Sequence, residues 1–238
     1  MVSKKKTLGI SSNELNTIKP ITENQKEVFA SYEKGQNLFL YGVAGTGKTF
    51  VALYNALKDV LDPKSPRERV YIVRSLLPTR DIGFLPGDEE DKSYLYQVPY
   101  QNMVRFMFQR GSDAEFDRLY TDLRNQGTID FLSTSFLRGI TIDNGVIIVD
   151  ECQNLNFHEL DTIMTRVGQN TRIVFAGDIQ QTDLTKTNDR NGILDFVNIM
   201  QQMKEVDCIE FDLGDIVRSG MLKSYLIEKI KMGLHYNE

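Results

Sequence analysis

Residues 38–57, "LFLYGVAGTGKTFVALYNAL", hold the junction that decides the fold. A β-prone apolar run, Leu38 to Tyr41, breaks into glycines, meets a lysine and a threonine, and then resumes with helical spacing. Within it, Gly42-Val43-Ala44-Gly45-Thr46-Gly47-Lys48-Thr49 satisfies G-x-x-x-x-G-K-[ST], the pattern of a loop that cradles phosphate. Each part has its own physical reason. Glycines let the backbone bend so that successive N–H groups face a concave anion site. The N-terminus of the following helix adds partial positive charge at the same point. Lys48 is long enough to reach β- and γ-phosphate oxygens, and the Thr49 hydroxyl can ligate Mg²⁺. Average residue usage yields such a match by chance in about one chain in a hundred of this length. The strand–loop–helix setting lowers that further. The stretch reads as a nucleotide site.

Outward from it lie five further apolar runs: "RVYIVRS", "IDFLST", "GVIIVDE", "RIVFAGD" and "CIEFDL". Their β-branched and aromatic content, with helical patterns between several of them, predicts parallel strands covered on both faces. The expected class is α/β, a doubly wound, mostly parallel sheet with helices on both sides. "ITENQKEVFASYEKG" reads as a helix with Thr22 as N-cap and Gly35 after its end. "DPKSPRER", "PGDEEDKS" and "TDLTKTNDRNG" are expected to be polar loops. Residues 1–20 are expected to form a flexible N-terminal tail carrying Lys4, Lys5 and Lys6, ahead of one domain over residues 21–238.

Two more strand ends carry chemistry. "GVIIVDECQNL" puts Asp150 and Glu151 at the C-terminal edge of a parallel sheet, where ligands of such sheets sit. Asp150 is expected to hold magnesium, and Glu151 to polarise the water that attacks the γ-phosphate. Cys152 has no histidine near it in sequence and reads as packing. "RIVFAGDIQQTDL" places Asp178 and Gln181 beside them, where an amide can sense phosphate or orient water.

Composition sets outer limits. The chain has 238 residues, 41% hydrophobic and 26% charged, which is ordinary for a globular protein. With 28 basic and 33 acidic side chains the net charge is -5, so any polyanion site must be a local basic patch. Two cysteines fit a reducing compartment. No apolar run approaches the ~18 residues of a membrane span. The expectation is a cytoplasmic protein with no membrane contact.

These residues together resemble the PhoH-like proteins, P-loop ATPases related to the motor core of superfamily-one helicases, bacterial or bacteriophage in type. The resemblance runs from about Thr22 to about Ile230. "TENQ" is similar to the family's T-P-N-Q, with Glu23 where proline is expected. "GFLPGD" (83–88) matches a family signature. "FLRGITIDNGVIIVDECQNL" and "MTRVGQNTRIVFAGDIQQTDL" resemble its central segments, and "DIVRSGMLKSYLIEKI" its closing one. The family's T-R-P is replaced by Val73-Arg74-Ser75. The resemblance implies ATP as ligand, ATP hydrolysis, RecA-like architecture and assembly into homo-oligomeric rings, for which a hexamer is the expectation. It also implies an adenine-reading role for Gln25, and helicase activity on nucleic acid for some members.

One RecA-like lobe leaves a catalytic arginine to be supplied by a neighbouring subunit; Arg218 is the first candidate and Arg166 the second. "YLYQVPYQNMVRFMFQRG" interleaves Tyr94, Tyr96, Phe106 and Phe108 with Arg105 and Arg110, as stacking on single-stranded nucleic acid requires. Tyr100, Met103, Val104 and Met107 fall there at helical spacing, which favours a packed face over a stacking platform. Arg74 and Arg138 are further candidate contacts. Three readings result: an ATPase ring that translocates on or unwinds RNA or DNA, an ATP-switched assembly or scaffold protein, and, weakest, a small-molecule kinase.

Overall fold

The structure is a computed structural model that describes residues 9–74, 89–108, 110–134, 137, 139–179, 187–217 and 220–232. The six expected strands form one sheet, β1 (Asn37–Gly42), β2 (Arg69–Arg74), β3 (Ile129–Leu132), β4 (Gly145–Asp150), β5 (Arg172–Gly177) and β6 (Val206–Phe211). Their order is β3-β2-β4-β5-β1-β6, and every pairing is parallel. All strands therefore end at the same edge. β4 and β5 are buried at every position, which is why they read as unbroken apolar runs instead of alternating ones.

Alternation survives in where the side chains go. Leu38 and Leu40 join one core with α1 (Glu23–Glu33), α2 (Lys48–Val60), α3 (Glu89–Met107) and α4 (Asp113–Asn125). Phe39, between them, enters the opposite core with α5 (Phe157–Met164) and α6 (Thr187–Gln202). There its ring meets Phe175 and Phe196 at 5.9 and 6.3 Å. Burying each such side chain contributes about 1.5–3 kcal/mol. Thr22 caps α1 by accepting from the Gln25 amide at 3.3 Å, and the chain turns out at Gly35 with φ +95°. A last helix, α7 (Gly220–Lys231), follows β6.

Three expectations need revision. Residues 9–20, expected within the tail, pack on the domain. Ile10 is buried, the Asn16 amide donates to Met107 O at 2.8 Å, and Glu14 pairs with Arg110 at 2.6 Å. Lys4, Lys5 and Lys6 lie outside the described residues. From Glu89 onward, "PGDEEDKS" is the start of α3, where acidic residues suit a first helical turn. From Thr187 onward, "TDLTKTNDRNG" is α6. Its Gly192 marks close helix contact, because a Cβ there would lie 2.9 Å from Phe157 Cβ.

Candidate active site

The strand carrying the glycine loop (β1) is separated from the strand carrying the acidic pair (β4) only by β5. The ends of all three lie side by side. Residues 42–47 leave β1 and turn into α2 through Gly42, Gly45 and Gly47, with φ of +114°, +78° and +85°. Gly42 admits no side chain, since a Cβ would lie 2.1 Å from the carbonyl oxygen of Phe211 on β6. The starts of α1, α4 and α5 are capped by side chains: Thr22, Ser112, and Asn156 in a capping box with Glu159. The α2 start has Gly47 at its cap and no side-chain hydrogen bond, so its first N–H groups remain available to an anion.

Lys48 is almost wholly buried. Its Nζ donates to Gly42 O at 2.7 Å and to Val43 O at 2.8 Å, with Thr46 Oγ1 at 3.4 Å. Burial pulls its pKa below the ordinary lysine value, against the charges of Asp178, Glu151 and Asp150. A buried cation held by loop carbonyls at a glycine cradle fits a phosphate ligand. Thr46 is fully buried, and its hydroxyl donates to Val43 O at 2.9 Å. Gln25 braces the same loop. Its Nε2 donates to Thr46 O at 3.0 Å and its Oε1 accepts from the Ile21 amide at 3.0 Å. The loop also receives the Val217 amide on Gly45 O at 3.2 Å.

Thr49 and Asp150 meet directly, the hydroxyl donating to Oδ1 at 2.7 Å. Hard oxygen donors of this kind suit Mg²⁺, which is ordinarily held by one or two protein groups together with phosphate and water. Among the described residues no group of three His, Cys, Asp or Glu could hold a metal by itself. Glu151 adopts a left-handed backbone with φ 52°. That conformation is costly for a non-glycine residue, and it recurs at functional sites. The Glu151 Oε2 accepts from Gln153 Nε2 at 2.6 Å, and Gln153 Oε1 accepts from the Asp178 amide at 3.1 Å. Cys152 is packing, as expected: it is fully buried, and burial pushes its thiol well above the ordinary value.

Two groups at this site escaped the sequence reading. Gln153 bridges the ends of β4 and β5, and its only signal was its place two residues after Glu151. Tyr100 read as core, and its ring is core, edge-on to Phe131 at 5.4 Å. Its hydroxyl donates to Asp150 Oδ2 at 2.6 Å, which no spacing rule announces.

Other candidates fall elsewhere. Gln181, Arg218, Arg138 and "GFLPGD" lie outside the described residues, as does the side chain of Tyr94. Arg166 precedes β5 at the sheet edge opposite the glycine loop, and its carbonyl accepts from Ile142. Arg74 ends β2 in register with Asp150, 6.0 Å from the Tyr96 ring. On α3, Tyr100, Val104 and Met107 are buried, as the packed-face reading expected; of the stacking candidates, Phe108 is buried as well, while Phe106 is exposed. Arg105 lies over the Phe116 ring and pairs with Asp113 and Asp117. Arg110 pairs with Glu14. No helix among the described residues is long and apolar enough to cross a membrane.

A parallel sheet with a glycine loop on one strand, an acidic pair two strands away and a helix start between them defines a P-loop NTPase domain of RecA-like architecture. The chain belongs to the PhoH-like protein family, whose sequence profile matches residues 17–229. It is 35% identical over 159 residues to Protein PhoH2 of Bacillus subtilis, covering 66% of this chain and 35% of that one. It is 30% identical over 213 residues to the PhoH-like protein of Mycobacterium bovis, covering 89% and 58%. The chain thus spans between about a third and three fifths of these relatives. Among solved structures, the large terminase of a thermophilic bacteriophage aligns with a TM-score of 0.49 at 12% identity, over 87% of this chain and 50% of that one.

Proposed function

We propose that this chain binds ATP with magnesium, hydrolyses it as a homo-oligomeric ring, and couples turnover to single-stranded RNA or DNA. The observation that carries the reading is the assembly of Lys48, Thr49, Asp150 and Glu151 at one sheet edge, around a helix start that no side chain caps. Magnesium, when bound, screens phosphate charge. Thr49 and Asp150 would hold it, and Lys48 and the amides of residues 42–47 would orient the phosphates. Glu151 accepts the proton of the attacking water, and Gln153 fixes the carboxylate that does so. Gln25 keeps the loop in shape from behind, and an adenine-reading role for it is what the family resemblance implies.

This lobe leaves the γ-phosphate open to water on one side, and in the ring a neighbouring subunit would close it. Arg218 or Arg166 would then act across the interface. The hexamer is the ring size we expect from the family resemblance.

One observation favours the second reading, an ATP-switched scaffold without strand separation. The arginines interleaved with aromatics around α3 already have partners, Arg105 on Asp113 and Asp117 and Arg110 on Glu14, and Phe108 between them is core. The deciding experiment is anisotropy of labelled poly-pyrimidine RNA and DNA across a salt series, with ATP and with ADP, alongside ATPase assays with the same strands. Salt-sensitive binding that is tighter with ATP supports the motor. Absence of binding at low salt in both states, with an ATPase indifferent to strands, supports the scaffold.

A further inference from the structure

We propose that Tyr100 is a positioning residue for the magnesium carboxylate, holding Asp150 Oδ2 so that Oδ1 stays on Thr49. The inference rests on the magnesium-nucleotide reading above. Asp150 is buried, with both carboxylate oxygens engaged by hydroxyls from different helices. Thr49 at the start of α2 donates to Oδ1 at 2.7 Å, and Tyr100 within α3 donates to Oδ2 at 2.6 Å. The two donors fix the plane of the carboxylate as one donor could not. Each oxygen keeps a lone pair for a metal-bound water. Outer groups that orient a metal's ligands in this way commonly change metal affinity about 10–100-fold when removed.

Tyr100 is itself held. Its ring is 2% exposed and packs edge-on to Phe131. One helical turn earlier Tyr96 lies by Arg74, the register partner of Asp150 on the next strand. α3 thus touches the ends of β2 and β4 at adjacent points. A tyrosine serving only as core would not need its oxygen on this carboxylate.

The test uses Tyr100→Phe, which retains the ring. Binding of a fluorescent ADP is titrated in EDTA and then against magnesium for both proteins. The variant is expected to match wild type in EDTA and to need about 10-fold more magnesium for half-maximal enhancement. Equal magnesium requirements would overturn the role of Tyr100. A wild type that shows no magnesium dependence at all would instead overturn the underlying reading. For a variant that does not fold, 3-fluorotyrosine at position 100 keeps the donor and reports on it by ¹⁹F NMR. Its resonance is expected to move when magnesium is added to the ADP complex, and an unmoved resonance would also sink the proposal.

Discussion

The Thr49 hydroxyl donates to Asp150 Oδ1 at 2.7 Å, joining two residues 101 positions apart in the chain. The contact exists because β1 and β4 flank β5 and all three end at one edge, so the first turn of α2 faces the acidic end of β4. The same hydroxyl can give a lone pair to magnesium while its O–H still donates to Asp150 Oδ1. Thr49→Ser should keep this arrangement and Thr49→Val should lose it. Nucleotide binding in magnesium should fall about 10–100-fold for the valine variant and change little in EDTA, as measured by calorimetry.

Gly42 leaves no room for a side chain. A Cβ there meets Phe211 O at 2.1 Å, on a backbone with φ +114°. Strain and overlap together put the cost of Gly42→Ala at about 3–5 kcal/mol. Gly139→Ala is the control: φ is +85° and nothing lies within 4 Å of the added carbon, so only about 1–2 kcal/mol of backbone strain is expected. Thermal melts of the two variants should differ clearly, with Gly42→Ala the lower.

Asp215 ties the start of α1 to the segment after β6. Its Oδ2 accepts from Asn24 Nδ2 at 2.6 Å and from the Asp212 amide at 3.0 Å. Burial opposes its charge, but hydrogen bonds from Thr22, Asn24 and the backbone outweigh burial and hold its pKa below the ordinary 3.8. A carboxylate with a lowered folded-state pKa adds stability that is complete above the unfolded value and is lost as pH falls through the folded one. Asp215→Asn should therefore cost about 1–3 kcal/mol at neutral pH. The gap to wild type should narrow below about pH 4. Chemical denaturation at about pH 7 and about pH 3, on either side of the ordinary carboxylate range, measures both.

Hydrolysis should depend on assembly. Specific activity is expected to rise with protein concentration and then level off, because a neighbour must close the site. Mixing Arg218→Ala with Lys48→Ala subunits should restore part of the activity if Arg218 acts in trans; a contribution of ~10³–10⁵ from such an arginine makes the rescue easy to see. The same mixture with Arg166→Ala tests the second candidate. Concentration-independent turnover by a species that light scattering shows to be a monomer would contradict the requirement.

The sheet was legible because its strands are buried on both faces and therefore continuous in composition. Gly42 to Thr49 was legible because phosphate binding imposes fixed spacing. Asp150 and Glu151 followed from their place after an apolar run. Tyr100 was not legible, since a ring at helical spacing looks the same whether or not its oxygen meets a carboxylate. Gly192 was misleading for a related reason: a glycine among polar residues suggests a loop, and only the packing of Phe157 shows why α6 needs one there. Residues 9–20 lack periodicity because single contacts, Ile10 and Asn16 among them, anchor that stretch in place of a regular face.

The central claim is a division of labour between Lys48, which holds phosphate, and Glu151, which readies water. Its most direct test is ATP binding and single-turnover hydrolysis on wild type, Lys48→Ala and Glu151→Gln prepared alike. Lys48→Ala should lose tight nucleotide binding. Glu151→Gln should bind ATP as wild type does and hydrolyse it about 10²–10⁴-fold more slowly, so that ATP is recovered intact from the complex. Near-wild-type turnover by Glu151→Gln would contradict the account.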